Sequence, residues 1–137
     1  LARFVAAQEG VFDQALAELR AGRKSGHWMW FIFPQIAGLG QSATSRLYAI
    51  GSAAEARAFL AHPVLGRRLR DCTGAVLTHP GKSAEAIFGP VDAMKLRSSM
   101  TLFEHAGDGP EPFGRCLAAF FAGRRDPATL ALLAKAG

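Results

Sequence analysis

Lys24-Ser25-Gly26-His27-Trp28-Met29-Trp30-Phe31-Ile32-Phe33-Pro34-Gln35 holds both tryptophans, two of the ten phenylalanines and one of the four histidines. A cation and an imidazole open the stretch, an apolar run from Trp28 to Phe33 fills it, and a proline closes it. The run is too short to cross a bilayer and too apolar to lie exposed, so burial is expected, with its polar ends emerging at defined places. At this length periodicity does not separate a buried strand from a buried helical turn. Pro34 disfavours helical geometry at Phe33 and ends the element there.

The flanks supply what the run itself does not. Upstream, Phe4, Val5, Phe12, Ala15, Leu16 and Leu19 fall on one stripe, which predicts an amphipathic helix from Leu1 to Ala21 ended by Gly22. Downstream, residues 37–45 form a glycine- and hydroxyl-rich loop, and a short segment with Leu47, Tyr48 and Ile50 follows. Ser52 and Glu55 make a capping box that opens a helix to about Ala61. Pro63 suits a first helical position, and Leu65, Leu69, Cys72 and Val76 mark one face of a helix to about His79. A short helix over Ser83–Phe88 stops at Gly89-Pro90. Asp92 reads as the N-cap of the next helix, whose face is Leu96, Met100 and Phe103 and whose end is Ala106. Residues 107–112 read as a turn. Phe113, Leu117, Phe120 and Phe121 then define a helix stopped by Gly123, and Asp126-Pro127 opens a last one through Leu130 and Leu133. No stretch alternates with period two. The prediction is an all-α chain, a single compact domain over residues 1–137 with roughly six to eight short helices.

The 137 residues are 50% apolar, enough for one core and incompatible with a disordered chain. Cys72 and Cys116 are too few and too far apart for a disulfide framework or structural zinc, and two buried free thiols in a cytoplasmic protein are expected. The N-terminal segment reads as a charged helix and not as a signal peptide. Because the first residue is Leu1 and not methionine, the natural chain is expected to begin further upstream. The net charge of +5 permits an anionic partner. Its cations are spread in small groups near helix ends, without the aromatic-interleaved stripe of single-strand binders, which argues against nucleic acid. No cofactor, metal, membrane partner or particular protein partner is implied.

Two segments carry polar residues that core packing does not require. The first is Lys24, His27, Gln35, Gln41, Ser42 and Thr44. The second is Lys95-Leu96-Arg97-Ser98-Ser99-Met100-Thr101, where helical spacing puts Lys95, Ser98 and Ser99 towards one side. Cations and hydroxyls this dense suit an anion. Gly38 and Gly40 would let backbone approach a phosphate, although no P-loop or dinucleotide-binding spacing is present. His62 and His79 read as helix-end residues. A serine hydrolase built on Ser98 or Ser99 with His27 and Asp92 lacks a nucleophile elbow, and the scattered histidines make no metal cluster.

Taken together, Arg3 to Gln8, Lys24 to Gln35, Gly38 to Ser42, His62 to Gly66, Ile87 to Gly89 and Lys95 to Phe103 resemble one bacterial family of unknown function whose members are often labelled calpastatin in genomes. The resemblance implies an all-α domain, decides residues 28–33 towards helix, and brings no established activity, cofactor or catalytic residue. The label itself conflicts with the residues: an inhibitor of that kind is a long polar chain that folds on its target, and this chain is short, half apolar and rich in capped helices.

The functional expectation is a polar pocket between the 24–42 region and the helix over 95–101 that binds a small anionic ligand, phosphate- or nucleotide-containing. Lys24, Lys95 and Arg97 would supply charge, His27, Gln35, Ser42, Ser98 and Ser99 hydrogen bonds, and Trp28 or Trp30 a stacking surface. The competing expectations are a protein-interaction module using the helix around Arg67, Arg68 and Arg70, and an enzyme of unrecognised chemistry, for which catalytic residues are unknown.

Overall fold

The apolar spacings are realised as ten helical segments in a computed structural model that describes residues 1–109 and 111–136. In chain order they are α1 (Ala2–Gln8), α2 (Phe12–Arg20), α3 (Met29–Ile32), α4 (Ala43–Leu47), α5 (Ala53–Ala61), α6 (Leu65–Leu77), α7 (Ala84–Phe88), α8 (Pro90–Ala106), α9 (Pro112–Phe121) and α10 (Pro127–Ala136). Six to eight was therefore too few. The expected single N-terminal helix is two, because Gly10 takes φ +72° between α1 and α2, a conformation that only glycine adopts without strain. Two elements of a single turn, α3 and α4, make up most of the remainder. The turn expected over 107–112 includes Pro110, which lies outside the described residues.

The caps follow sequence closely. Ser42, Ser52 and Ser83 each accept a hydrogen bond from the amide three residues on, at the starts of α4, α5 and α7. The expected box at Ser52 closes one residue early, since the Glu55 carboxylate accepts from the Gly51 amide. Asp126 accepts from the Thr129 amide and so opens α10. His62 Nδ1 accepts from the Val64 and Leu65 amides at the start of α6, and His79 Nε2 meets the Leu19 carbonyl near the end of α2. Asp92 is not an N-cap: α8 starts two residues earlier, at Pro90, with Gly89 before it, and so places Asp92 inside the first turn.

Helix α8 lies at the centre, packed against α5, α7, α9 and α10. Its sides are buried from Ala93 through Leu96, Ser99, Met100, Leu102 and Phe103 to Ala106. Aromatic side chains run through the core in contact, Phe4 against Phe59, Phe59 against Phe103 and Phe103 against Phe113, with ring centroids 5.2, 5.2 and 5.9 Å apart. Helices α5 and α6 meet so closely at Gly66 that a Cβ there would lie 2.0 Å from the Leu60 carbonyl oxygen. A single parallel bridge pairs Ile36 with Ile50; the Ile50 amide donates to Gln35 and the Ala37 amide to Ile50, fixing the loop that follows α3. Among the described residues no helix is long and apolar enough to cross a membrane.

Candidate ligand-binding cleft

The Trp28–Phe33 run is one helical turn, and its side chains part in two directions. Trp28, Met29, Ile32 and Phe33 enter the core, while Trp30 and Phe31 stay half-buried. Trp28 is held by Glu18 of α2: one carboxylate oxygen accepts from the indole N–H at 3.0 Å and from the Ser25 and Gly26 amides at 2.7 and 2.8 Å. The other oxygen accepts from Gln14 at 2.8 Å. Burial pushes the Glu18 carboxyl up, but these donors, Gly26 and Ser25 foremost, together outweigh it and bring it down to about 2. Glu18 thus folds the polar loop before α3 and fixes where Lys24 and His27 stand. Periodicity places Glu18 on the outer face of α2, so nothing in the sequence marks it for this role.

Lys24 turns inward. Its ammonium pairs with Asp92 at 2.8 Å, donates to the Gly26 carbonyl and lies 4.9 Å from the Trp28 ring centre. Lys95, one turn along α8, pairs with the other Asp92 oxygen at 3.0 Å and covers the Trp30 ring at 4.1 Å. Burial raises the Asp92 carboxyl, and the hydrogen bonds and charges of Lys24 and Lys95 overcome that rise and hold it below its ordinary value. Two ammonium groups on one carboxylate leave one positive charge uncompensated. They line a recess of ≈ 80 Å³ together with Met29, Trp30 and the exposed His27.

Trp30 and Lys95 also border a wider groove of ≈ 360 Å³ between α3, the loop after it, α8 and the start of α10. Its walls are apolar at Leu39, Val91, Met94 and Ala128 and polar at Gln35, Ser98 and Asp126. On the far side of Trp30, Gln35 and the 36–40 loop, with Ser45, Arg46 and Tyr48, enclose a third hollow of ≈ 170 Å³. The loop needs its glycines there. Gly38 has φ +105°, and a Cβ on Gly40 would lie 2.6 Å from Ser45. Trp30 is common to all three recesses.

Of the residues expected at the site, the fold brings together Lys24, His27, Trp30, Gln35, Lys95 and Ser98. Four stand elsewhere. Trp28 is 1% exposed and belongs to the core. Ser42 spends its hydroxyl capping α4. Ser99 is wholly buried, its hydroxyl without a partner, because successive residues of a helix turn about 100° apart and Ser98 takes the cleft side. Arg97 points away, donating to the Arg124 and Arg125 carbonyls at 2.8 Å each, beside a separate hollow lined by Phe120 and Phe121. Asp92 and Asp126, both read from sequence as caps, are cleft residues too. On the basic helix Arg67 is exposed, while the other two arginines have partners within the fold. Arg70 forks onto Glu111 at 2.8 and 3.0 Å, and Arg68 bonds Gln8 and packs on Phe12. Both free thiols, Cys72 and Cys116, are buried, and burial pushes each up to about 12, far from reactive. Among the described residues no three or more His, Cys, Asp or Glu side chains group as metal ligands.

The fold and cleft define an all-helical domain in which a half-buried aromatic turn, α3, is flanked by Lys24, Lys95 and a glycine loop. The chain belongs to the family described as "Protein of unknown function (DUF1810)", which it matches over residues 1–133. It is similar to the conserved hypothetical protein Rv1873 from Mycobacterium tuberculosis. That crystal structure is 53% identical and superposes with a TM-score of 0.95 over 97% of this chain and 95% of that one. No curated protein matches the chain.

Proposed function

We propose that this protein is a cytoplasmic binding domain for a small anionic ligand, phosphate- or nucleotide-containing, held in the cleft around Trp30. The observation that carries the reading is the Lys24–Asp92–Lys95 arrangement, in which two ammonium groups face a recess with a single carboxylate between them. An incoming anion gains charge-assisted hydrogen bonds from groups already held in place, so little side-chain entropy is lost on binding. His27 at the rim adds a donor, and Gln35 and Ser98 line the groove beyond. The perturbed groups outside the cleft, Glu18 and the two thiols, have structural causes. Asp92 inside it is shifted towards its charged form and acts as counter-ion, which suits binding. Buried free cysteines fit a reducing compartment.

Thermal unfolding against inorganic phosphate, sugar phosphates and nucleotides tests the reading. An anion present at a hundredfold its dissociation constant adds about 2.7 kcal/mol of stability, and a domain of this size then melts several degrees higher. Lys95→Ala and His27→Ala, both at the rim, are expected to fold and to weaken the shift. A panel in which no anion moves the melting temperature contradicts the proposal.

A second reading rests on one observation. Val91 and Met94 are 66% and 72% exposed on one edge of the groove, an apolar rim of the kind found at protein contacts. That reading requires a partner and no response to small anions.

A further inference from the structure

The hollow on the far side of Trp30 differs in kind from the lysine recess. Its ≈ 170 Å³ lie between the loop after α3 and helix α4, and most of its wall is carbon, from Trp30, Ile36, Ala37, Leu39, Tyr48 and Ala49. The bridge between Ile36 and Ile50 fixes the loop at its base, so this wall is in place before any ligand arrives.

The residues of the wall also carry hydrogen-bonding groups that the fold leaves unspent. Among the described residues nothing accepts from the Gly38 or Gly40 amide. No partner meets the Gln35 side-chain amide, the Trp30 indole N–H or the Tyr48 hydroxyl, and none of these side-chain groups is sealed from water. Ser45 Oγ, by contrast, is spent on the Ser42 carbonyl at 2.8 Å. Arg46 is the one charged residue on the wall among the described residues. It is exposed, takes part in no ion pair among them, and donates to Gln41 Oε1 at a long 3.4 Å. No carboxylate lines the hollow to compete for it.

Carbon and unspent donors together restrict what fits. A bare oxyanion leaves the carbon wall in water and gains nothing from covering it. A wholly apolar ligand strips water from the donors and returns no acceptor. A small acid with a flat apolar body answers both. Its two carboxylate oxygens match a guanidinium fork, and its body covers aromatic wall. Pockets for drug-sized ligands begin at about 300 Å³, so ≈ 170 Å³ limits the body to roughly one ring.

We infer that the hollow between the 36–40 loop and α4 is a binding site for a small, flat carboxylic acid, with Arg46 as its charge partner and Trp30 and Tyr48 as its walls. The site is separate from the Lys24–Asp92–Lys95 recess and does not rest on the reading of that recess.

Calorimetric titration of the whole chain with benzoate, benzyl alcohol and acetate tests it. Benzyl alcohol keeps the ring without the charge, and acetate keeps the carboxylate without the ring. Benzoate is expected to bind at least tenfold more tightly than either. Arg46→Gln, on an exposed side chain outside the core, is expected to weaken benzoate at least tenfold. Arg46→Lys, which keeps the charge without the fork, is expected to weaken it less. In two-dimensional NMR spectra benzoate should move the Gly38 and Gly40 amides together with the Trp30 indole N–H. Benzyl alcohol binding as tightly as benzoate denies Arg46 its role, acetate binding as tightly denies the walls theirs, and either overturns the inference. Full binding by Arg46→Gln, or stationary Gly38 and Gly40 signals, places the acid elsewhere and also overturns it. Repeating the titration in excess inorganic phosphate at matched ionic strength separates the two sites. Benzoate affinity is expected to hold, and displacement by phosphate would put the acid in the lysine recess, overturning this inference and leaving the anion reading intact. Absence of benzoate binding overturns the inference whatever phosphate does at the recess.

Discussion

Trp28 and Trp30 stand two residues apart on the same helical turn and do opposite work. Trp28 is 1% exposed, its N–H tied to Glu18, with Phe33 beside it at 6.3 Å between ring centres. Trp30 is half-buried, covered by the Lys95 ammonium and bordering every recess on that side of the molecule. The difference teaches that a dense aromatic motif need not be one thing. A single turn of helix splits it into an anchor and a wall, and the anchor's hydrogen bonds set the position of the wall.

If the division is real, removing the anchor costs far more stability than removing the wall. Trp28→Ala is expected to destabilise the protein by about 3–5 kcal/mol in denaturant unfolding, the usual cost of emptying a large aromatic site. Trp30→Ala removes a ring that is only partly buried and is expected to cost less, roughly 1–2 kcal/mol. Equal costs would erase the distinction.

Glu18→Gln sharpens the point at the next scale down. The amide keeps the volume and loses a charged acceptor of hydrogen bonds from Gly26, Ser25, Gln14 and Trp28. Because the carboxylate is largely in water, the expected loss near neutral pH is about 1–2 kcal/mol. The sign with pH follows from the depressed carboxyl. Folding holds Glu18 at about 2 against an ordinary 4.5. Its contribution is therefore complete above 4.5 and is lost as pH falls from there towards 2. Stability curves of the parent and Glu18→Gln proteins should converge across that window, and curves that stay parallel would deny Glu18 its part.

Smallest in stability is Lys95→Ala. Asp92 keeps its pair with Lys24 when this partly exposed pair is removed, so the loss is about 1 kcal/mol and the variant should melt close to the parent. Any anion-induced rise in melting temperature should nevertheless shrink. A variant that keeps the full rise removes Lys95 from the site.

These contrasts also show what sequence could and could not give. Helix type was legible wherever a stripe and a cap agreed, as at Ser52 and Asp126. The break at Gly10 was not, because Val5, Phe12 and Leu16 keep one stripe across it, and a stripe records facing and not continuity. Lys24, His27, Trp30, Gln35, Lys95 and Ser98 were legible as candidates that line the neighbouring recesses because polar groups crowd two motifs beyond what packing asks. The fates of Arg97 and Ser99 were not, since a helix buried on most sides hides its hydroxyls and turns neighbouring residues to different partners. Asp92 was read as a cap because its local setting, just after Gly89-Pro90, is that of a helix start. Its pairing with Lys24 joins distant parts of the chain, and no local pattern reports it.

The most direct measurement follows the two indole N–H resonances of the isotope-labelled protein by two-dimensional NMR as inorganic phosphate, sugar phosphates and nucleotides are added in turn. The Trp30 signal should move progressively and saturate while the Trp28 signal, buried on Glu18, stays in place. Two stationary signals, or movement of Trp28 alone, would contradict a ligand cleft built around Trp30.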